Sequence, residues 1–223
     1  MAEPNPEELV DLGVKSIEAK DYIQAKKYFE KACGLNNGGG CGALGDLYVV
    51  EKTLIKAAQF YSKACGLKDS DGCFNLGRLY YYGEGVEKNL IKAAQYFSEA
   101  CDLKDGRGCG SLGDLYENDQ GVEKNLTKAA QFYSKACDLN NSVGCKNLGF
   151  LYEYGEGVEK DLIKAAYFYS KACDLNNSGG CASLGLLYEY GQGVEKDLIK
   201  AAYFYSKACK LGSQKACEVL KEK

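Results

Sequence analysis

Two helical patterns alternate along the chain. In "GCKNLGFLYEYG", Cys145, Leu148 and Tyr152 recur at i, i+3 and i+7, and Gly155 follows as a C-terminal stop. In "DLIKAAYFYSKAC", Asp161 is placed to cap a run in which Leu162, Ala165, Ala166, Tyr169 and Cys173 share one face. With the first pattern called helix A and the second helix B, the alternation predicts an all-α array of thirteen helices. Each A helix has a glycine at its centre (Gly45, Gly77, Gly113, Gly149, Gly185), where it costs roughly 1 kcal/mol of helix propensity. A close neighbour would offset that cost, and the paired alanines of helix B, Ala57/Ala58 through Ala201/Ala202, are expected to supply the facing groove.

The A–B pair repeats with the cysteines. Cys65/Cys73, Cys101/Cys109, Cys137/Cys145, Cys173/Cys181 and Cys209/Cys217 are each displaced by 36 residues, and Cys33/Cys41 precedes by 32. The shortfall lies where "LYVVEKTL" (47–54) replaces the longer "LYYYGEGVEKNL" (79–90), which marks a loop. In "ENDQGVEK" (117–124) one glycine of the same connection is lost at Asn118-Asp119. Asn5-Pro6-Glu7-Glu8 reads as a capped helix start, and Asp21 with Gln24 starts its partner. The expected organisation is one solenoid over 1–223. A capping hairpin covers 5–33, five α/α units cover 34–209 with the first shortened by four residues, and a capping helix covers 210–223.

Composition narrows the function. The 28 basic and 31 acidic residues nearly cancel, to a net −3, and are interspersed, so nothing points to nucleic acid. No apolar run approaches the ~18 residues of a membrane span. The start "MAEPNPEEL" lacks the regions of a signal peptide, so export would need a leader outside this sequence.

The chain has 12 cysteines and no histidine. The first cysteine of each "C-x7-C" falls in the last turn of a B helix and the second in the first turn of the next A helix, within reach of a bridge. A rival pairing joins the two ends of one hairpin, Cys109 to Cys137 for example. Counting separates them: the rival strands Cys33 and Cys217, whereas the short spacing uses all twelve. The expected bridges are Cys33–Cys41, Cys65–Cys73, Cys101–Cys109, Cys137–Cys145, Cys173–Cys181 and Cys209–Cys217. Such loops suit an oxidising compartment, which places the protein in the periplasm or outside the cell. Without histidine or a two-residue cysteine spacing, neither a metal site nor a thiol-exchange centre is expected.

The repeated "GCxxLGxLYxxGxGVEKxLxKAAxFYSKACDL" resembles the Sel-one-like repeat (SLR) family. The 36-residue unit with its cysteine pairs is similar to the Helicobacter cysteine-rich proteins. The resemblance covers Leu9 to Leu220. It implies a right-handed α/α superhelix, tetratricopeptide-like, with one disulfide per repeat, secretion, contact with host immune cells, and weak penicillin binding or β-lactamase activity in some members.

The residues themselves announce no enzyme. S-x-x-K, S-D-N, K-T-G and G-x-S-x-G are all missing, and zero histidine excludes the common triads. Glu87, Glu123, Glu159 and Glu195 recur beside lysines as surface charges; Tyr80, Tyr116, Tyr152 and Tyr188 have the spacing of packing residues. Gly-x-Gly in "YGEGVEK" reads as a helix-ending turn and not as a phosphate loop. No catalytic residue and no cofactor is expected.

Partner binding is the remaining reading. Positions that change between repeats fall on one face of each A helix: Phe74, Asn75, Arg78, Ser111, Asp114, Asn147, Phe150, Ser183 and Leu186. In helical-hairpin solenoids that face lines the concave surface. Phe74 and Phe150 are expected as exposed anchors, with Asn75, Asn147 and Arg78 holding a peptide backbone or carboxylate. The expected partner is a protein or peptide, with a host-cell protein among the candidates and a β-lactam or peptidoglycan-related small molecule as the alternative, and the array is expected to act as a monomer.

Overall fold

The computed structural model describes residues 4–221. Thirteen α-helices and no strand occur among them: α1 (Pro6–Glu18), α2 (Tyr22–Gly34), α3 (Gly38–Val50), α4 (Leu54–Gly66), α5 (Ser70–Tyr82), α6 (Leu90–Asp102), α7 (Gly106–Glu117), α8 (Leu126–Asp138), α9 (Ser142–Tyr154), α10 (Leu162–Asp174), α11 (Ser178–Tyr190), α12 (Leu198–Lys210) and α13 (Gln214–Lys221). Two compact units divide them, 1–108 and 109–223. No helix of the described residues is long and apolar enough to cross a membrane.

Capping fixes the boundaries. Asn5 and Glu8 form a reciprocal capping box with Pro6 in the first turn. Asn37, Asp69, Asn141 and Asn177 each accept a hydrogen bond from the glycine N–H three residues on, starting α3, α5, α9 and α11. Gly83, Gly155 and Gly191 end A helices in the left-handed conformation. In the loop that lacks this glycine, Asp119 takes the position with φ 56°, and its carboxylate accepts from the Lys124 N–H at 3.1 Å. The aspartate side chain ties the turn that glycine makes elsewhere without strain.

The central glycines of the A helices do meet a close neighbour, an aromatic ring first, with the carbonyl of the first alanine of the pair also close at Gly77 (Ala93, 3.4 Å) and Gly149 (Ala165, 3.3 Å). A Cβ built on Gly45 or Gly77 in the first unit would lie 2.4 Å from the Tyr61 ring or 2.7 Å from the Phe97 ring. In the second unit Gly113, Gly149 and Gly185 are covered in the same way by Tyr133, Tyr169 and Tyr205. The reason is reach: an aromatic one turn beyond the alanines extends across to the partner helix, and the buried alanines leave room for it. A second row of rings stacks between the helices of each hairpin. It comprises Tyr48–Phe60 and Tyr80–Tyr96 in the first unit and Tyr116–Phe132, Tyr152–Phe168 and Tyr188–Phe204 in the second, with centroids 5.2–5.6 Å apart.

Disulfides close the turn from each B helix to the next A helix. Cys33–Cys41 and Cys65–Cys73 in the first unit and Cys137–Cys145, Cys173–Cys181 and Cys209–Cys217 in the second have Cα–Cα distances of 4.5–4.8 Å. Cys101 and Cys109 are also disulfide-bonded, and no described cysteine is free.

Candidate functional site

The first unit gathers charged side chains on the face of α3 and α5. Gly39, Gly42, Ala43, Asp46, Asp69, Asp71, Asn75 and Arg107 line an open concavity of about 400 Å³. Asp71, Phe74, Asn75 and Arg78 follow one another at helical spacing along α5, and glycines at 39 and 42 leave the space above them empty.

Arg107 closes one side. Its guanidinium is held by the nearly buried Asp105 (Nη2–Oδ2 2.6 Å), pairs with Asp71, and lies 4.5 Å over the Phe74 ring. The hydrogen bond to Asp105 is the largest of the influences that keep Arg107 charged, above burial, which opposes it. Asp46 accepts from the Tyr61 hydroxyl at 2.6 Å. Burial pushes its carboxyl above the usual range, against the lowering effect of that bond, and Asp71 pushes it further. Burial raises Asp69 too, opposed by the Gly72 N–H it caps.

The corresponding face of the second unit is built differently. Tyr133 donates to Asp114 at 2.6 Å with Glu117 also in contact, while Tyr169 meets Glu153 at 2.5 Å and Tyr205 meets Glu189 at 2.6 Å. Burial, followed by Coulombic and hydrogen-bond effects of these acids, holds Tyr133 far above the ordinary phenol range. Asn147 donates to Asp114 at 3.2 Å, and Ser183 lies beside the Tyr169 hydroxyl.

Placed on this geometry, the candidate residues separate into groups. In the first unit Asn75 is half-buried on the concavity and Arg78 is exposed. Phe74 is not the exposed anchor expected of it. It is half-buried, packed on the Cys65–Cys73 bridge, 5.8 Å from the Phe97 ring and under Arg107, because the position beside a bridging cysteine faces the turn junction. In the second unit Asp114 accepts from both Tyr133 and Asn147, and Ser111 and Ser183 are half-buried. Phe150 and Leu186 are exposed at 40% and 47%, and the Phe150 ring rests 4.5 Å from Tyr154.

Asp46 belongs to the variable A-helix face read from the sequence, whereas Asp71, Asp105 and Arg107 were missed. A signal was present: the position two before the second cysteine reads Gly39, Asp71, Arg107, Val143 and Gly179, so opposite charges sit one repeat apart. That position precedes the A-helix face by one turn and was read as part of the polar turn.

One three-group cluster has the composition of a metal site. Glu99 Oε2 lies 3.2 Å from Cys65 Sγ and 4.0 Å from Cys73 Sγ. The two sulfurs are bonded to each other at 2.02 Å, so neither is a thiolate available for ligation.

Known proteins share this framework. The Sel1 repeat model matches residues 12–37, 43–69, 70–105, 108–141, 142–177 and 178–213. A 48-residue stretch, 22% of the chain, is 54% identical to the protein named Beta-lactamase HcpA of Helicobacter pylori, of which it covers 19%. The chain spans less than a fifth of the curated relatives it matches. Among solved structures, c5321, a protective antigen present in uropathogenic Escherichia coli strains displaying an SLR fold, superposes with a TM-score of 0.89 at 26% identity, over 97% of this chain and 48% of that one. Helicobacter pylori cysteine-rich protein B superposes with a TM-score of 0.50 at 47% identity, over 60% of this chain and 96% of that one. With six matched repeats over most of its length, the chain belongs to the Sel1 repeat family.

Proposed function

We propose that this repeat scaffold works outside the cytoplasm and binds a protein or peptide partner on the A-helix face, with the first unit's concavity as the main contact. One observation carries the reading. Side chains that change from repeat to repeat, Asp46, Asp71, Asn75 and Arg107, converge on an open space, while the staples recur and an aromatic ring covers the central glycine of each A helix. A rigid frame with variable charges on one face is suited to recognising an extended ligand. The disulfides support an oxidising location.

The test is capture of partners from host-cell and bacterial extracts by the oxidised protein, compared with a variant carrying Asp71→Ala, Asn75→Ala and Arg107→Ala. Asp71 and Asn75 are at least partly exposed, whereas Arg107→Ala also leaves the nearly buried Asp105 without its guanidinium, so the variant is expected to melt below the parent and, compared at a temperature where both are folded, to lose the partner. Undiminished capture by the variant would remove the reading.

A second reading follows from the name of the relative HcpA: turnover of a β-lactam. A chromogenic cephalosporin assayed across a gel-filtration peak separates the two, because activity must track this protein's own elution. The absence of the serine β-lactamase motifs favours no turnover.

A further inference from the structure

We propose that Asn140 and Asn176 are acceptors for N-linked glycan transfer, used before the bridge across their own turn closes. The proposal rests on export, as above. Three N-x-[ST] sequons occur in the chain: Asn125-Leu126-Thr127, Asn140-Asn141-Ser142 and Asn176-Asn177-Ser178. Each has an acid two positions before the asparagine, Glu123, Asp138 and Asp174, so the −2 residue does not separate the three.

The structure separates the three. Asn125 is committed to the fold: its Oδ1 accepts from the Lys128 N–H at 2.9 Å to cap α8, and the Thr127 hydroxyl donates to the Gly157 carbonyl at 3.1 Å. Asn140 and Asn176 are exposed, just past α8 and α10, in the left-handed conformation with φ 59° and 61°. Their backbone N–H groups bond the Cys137 and Cys173 carbonyls, which leaves the side-chain amides facing water. The equivalent turn positions elsewhere cannot serve. Asn36 is followed by Asn37-Gly38, without a hydroxyl, and Lys68, Lys104 and Gly212 replace the asparagine.

Transfer joins the amide Nδ2 to the anomeric carbon of a polyprenyl-pyrophosphate-linked oligosaccharide. The bond from that carbon to the pyrophosphate oxygen breaks, the lipid pyrophosphate leaves, and the amide proton passes to the enzyme. The enzyme must hold the hydroxyl of residue +2 while the tripeptide is extended. Asn141 is extended already (φ −80°, ψ 107°), but Ser142 is the first residue of α9, whose first turn Asn141 caps through the Gly144 N–H at 2.8 Å. The sequon also lies inside the loop closed by Cys137–Cys145. Docking therefore requires opening a capped turn, which is easier before the disulfide ring closes but with α8 already formed, so that Asn125 stays engaged as its cap.

The experiment co-expresses the full chain with a bacterial oligosaccharyltransferase and its lipid-linked donor. An appended export leader delivers the chain whatever its own route, and a flexible C-terminal tag carries one further sequon. Failure then counts against these acceptor sites and not against export. Intact-mass and peptide analysis are expected to show glycan on Asn140 and Asn176. Asn140→Gln and Asn176→Gln should each remove one glycan and Asn125→Gln none. The pair Cys137→Ser with Cys145→Ser should raise occupancy at Asn140 and leave Asn176 unchanged. An occupied tag with bare Asn140 and Asn176, or occupancy at Asn125 in their place, would overturn the proposal.

Discussion

In the second unit all three seated rings are tyrosines, and each hydroxyl of Tyr133, Tyr169 and Tyr205 finds a carboxylate on its A helix. In the first unit Tyr61 finds Asp46, whereas Phe97 covers Gly77 with no hydroxyl to satisfy, and Arg78 and Tyr81 stand where the second unit has Asp114 and Glu117. The ring and the acid change together. A buried hydroxyl left without an acceptor costs about 1–3 kcal/mol, so a repeat that keeps the oxygen must keep an acid one or four residues after the glycine. A repeat that loses the oxygen frees both positions for other chemistry. Some of the variation on the A-helix face is therefore dictated by the core, and only the rest is available for partners.

The largest expected effects test what the two units share. Removing Cys65–Cys73 in one variant and Cys137–Cys145 in another, by paired alanines, should each lower stability by roughly 2.5 kcal/mol in chemical denaturation, since both bridges close loops of the same length. Unequal losses would show that the template is not equally stressed in the two units. Next come the ring seats. Gly77→Ala and Gly149→Ala place a Cβ 2.7 and 2.8 Å from the Phe97 and Tyr169 rings, and overpacking of that kind should cost about 2 kcal/mol in both. Gly66→Ala at the end of α4 meets nothing within 4 Å and serves as the control, with no loss expected.

Phe97→Tyr attacks the difference itself. It inserts a hydroxyl into a seat that has no carboxylate one or four residues after the glycine, and thermal melting should fall by an amount equivalent to about 1 kcal/mol. Adding Tyr81→Glu, the acid position used by Glu117, Glu153 and Glu189, should restore most of it. Failure of that second change to rescue would break the link between ring and acid.

These cases also show what could be read from the residues. Repeat length, helix number and the turns at Gly83 and Gly155 were legible because local chemistry sets them: a cap, a glycine at positive φ, a period of 36. The seat of Tyr61 over Gly45 was not, because spacing along each helix does not say how far one side chain reaches across to the next. Phe74 was misread for the same reason; its exposure depends on Arg107, which comes from the following repeat. Asp114 and Asn147 looked variable and therefore available, yet Asp114 is claimed by the hydroxyl of Tyr133 and Asn147 by Asp114.

The smallest effect is the pH dependence of that cluster. Tyr133 has one hydroxyl proton and two carboxylates against it, Asp114 and Glu117, with Lys146 and Asn147 on the other side. Burial raises the folded-state pKa of Asp114, Glu117 adds to the rise, and Tyr133, Lys146 and Asn147 oppose it. An acid whose pKa is higher folded than unfolded binds its proton more tightly in the native state. Its charge therefore disfavours folding at neutral pH, and that penalty disappears as pH falls through the folded pKa toward the unfolded value. Asp114→Asn keeps an oxygen for Tyr133 and has no such charge. It should be more stable than the parent at pH 7, with the advantage shrinking on acidification toward pH 4. An advantage for Asp114→Asn that is constant with pH would mean that the two carboxylates are accommodated as charges, and the second unit's face would then be a preformed anionic site and not only a set of satisfied hydroxyls.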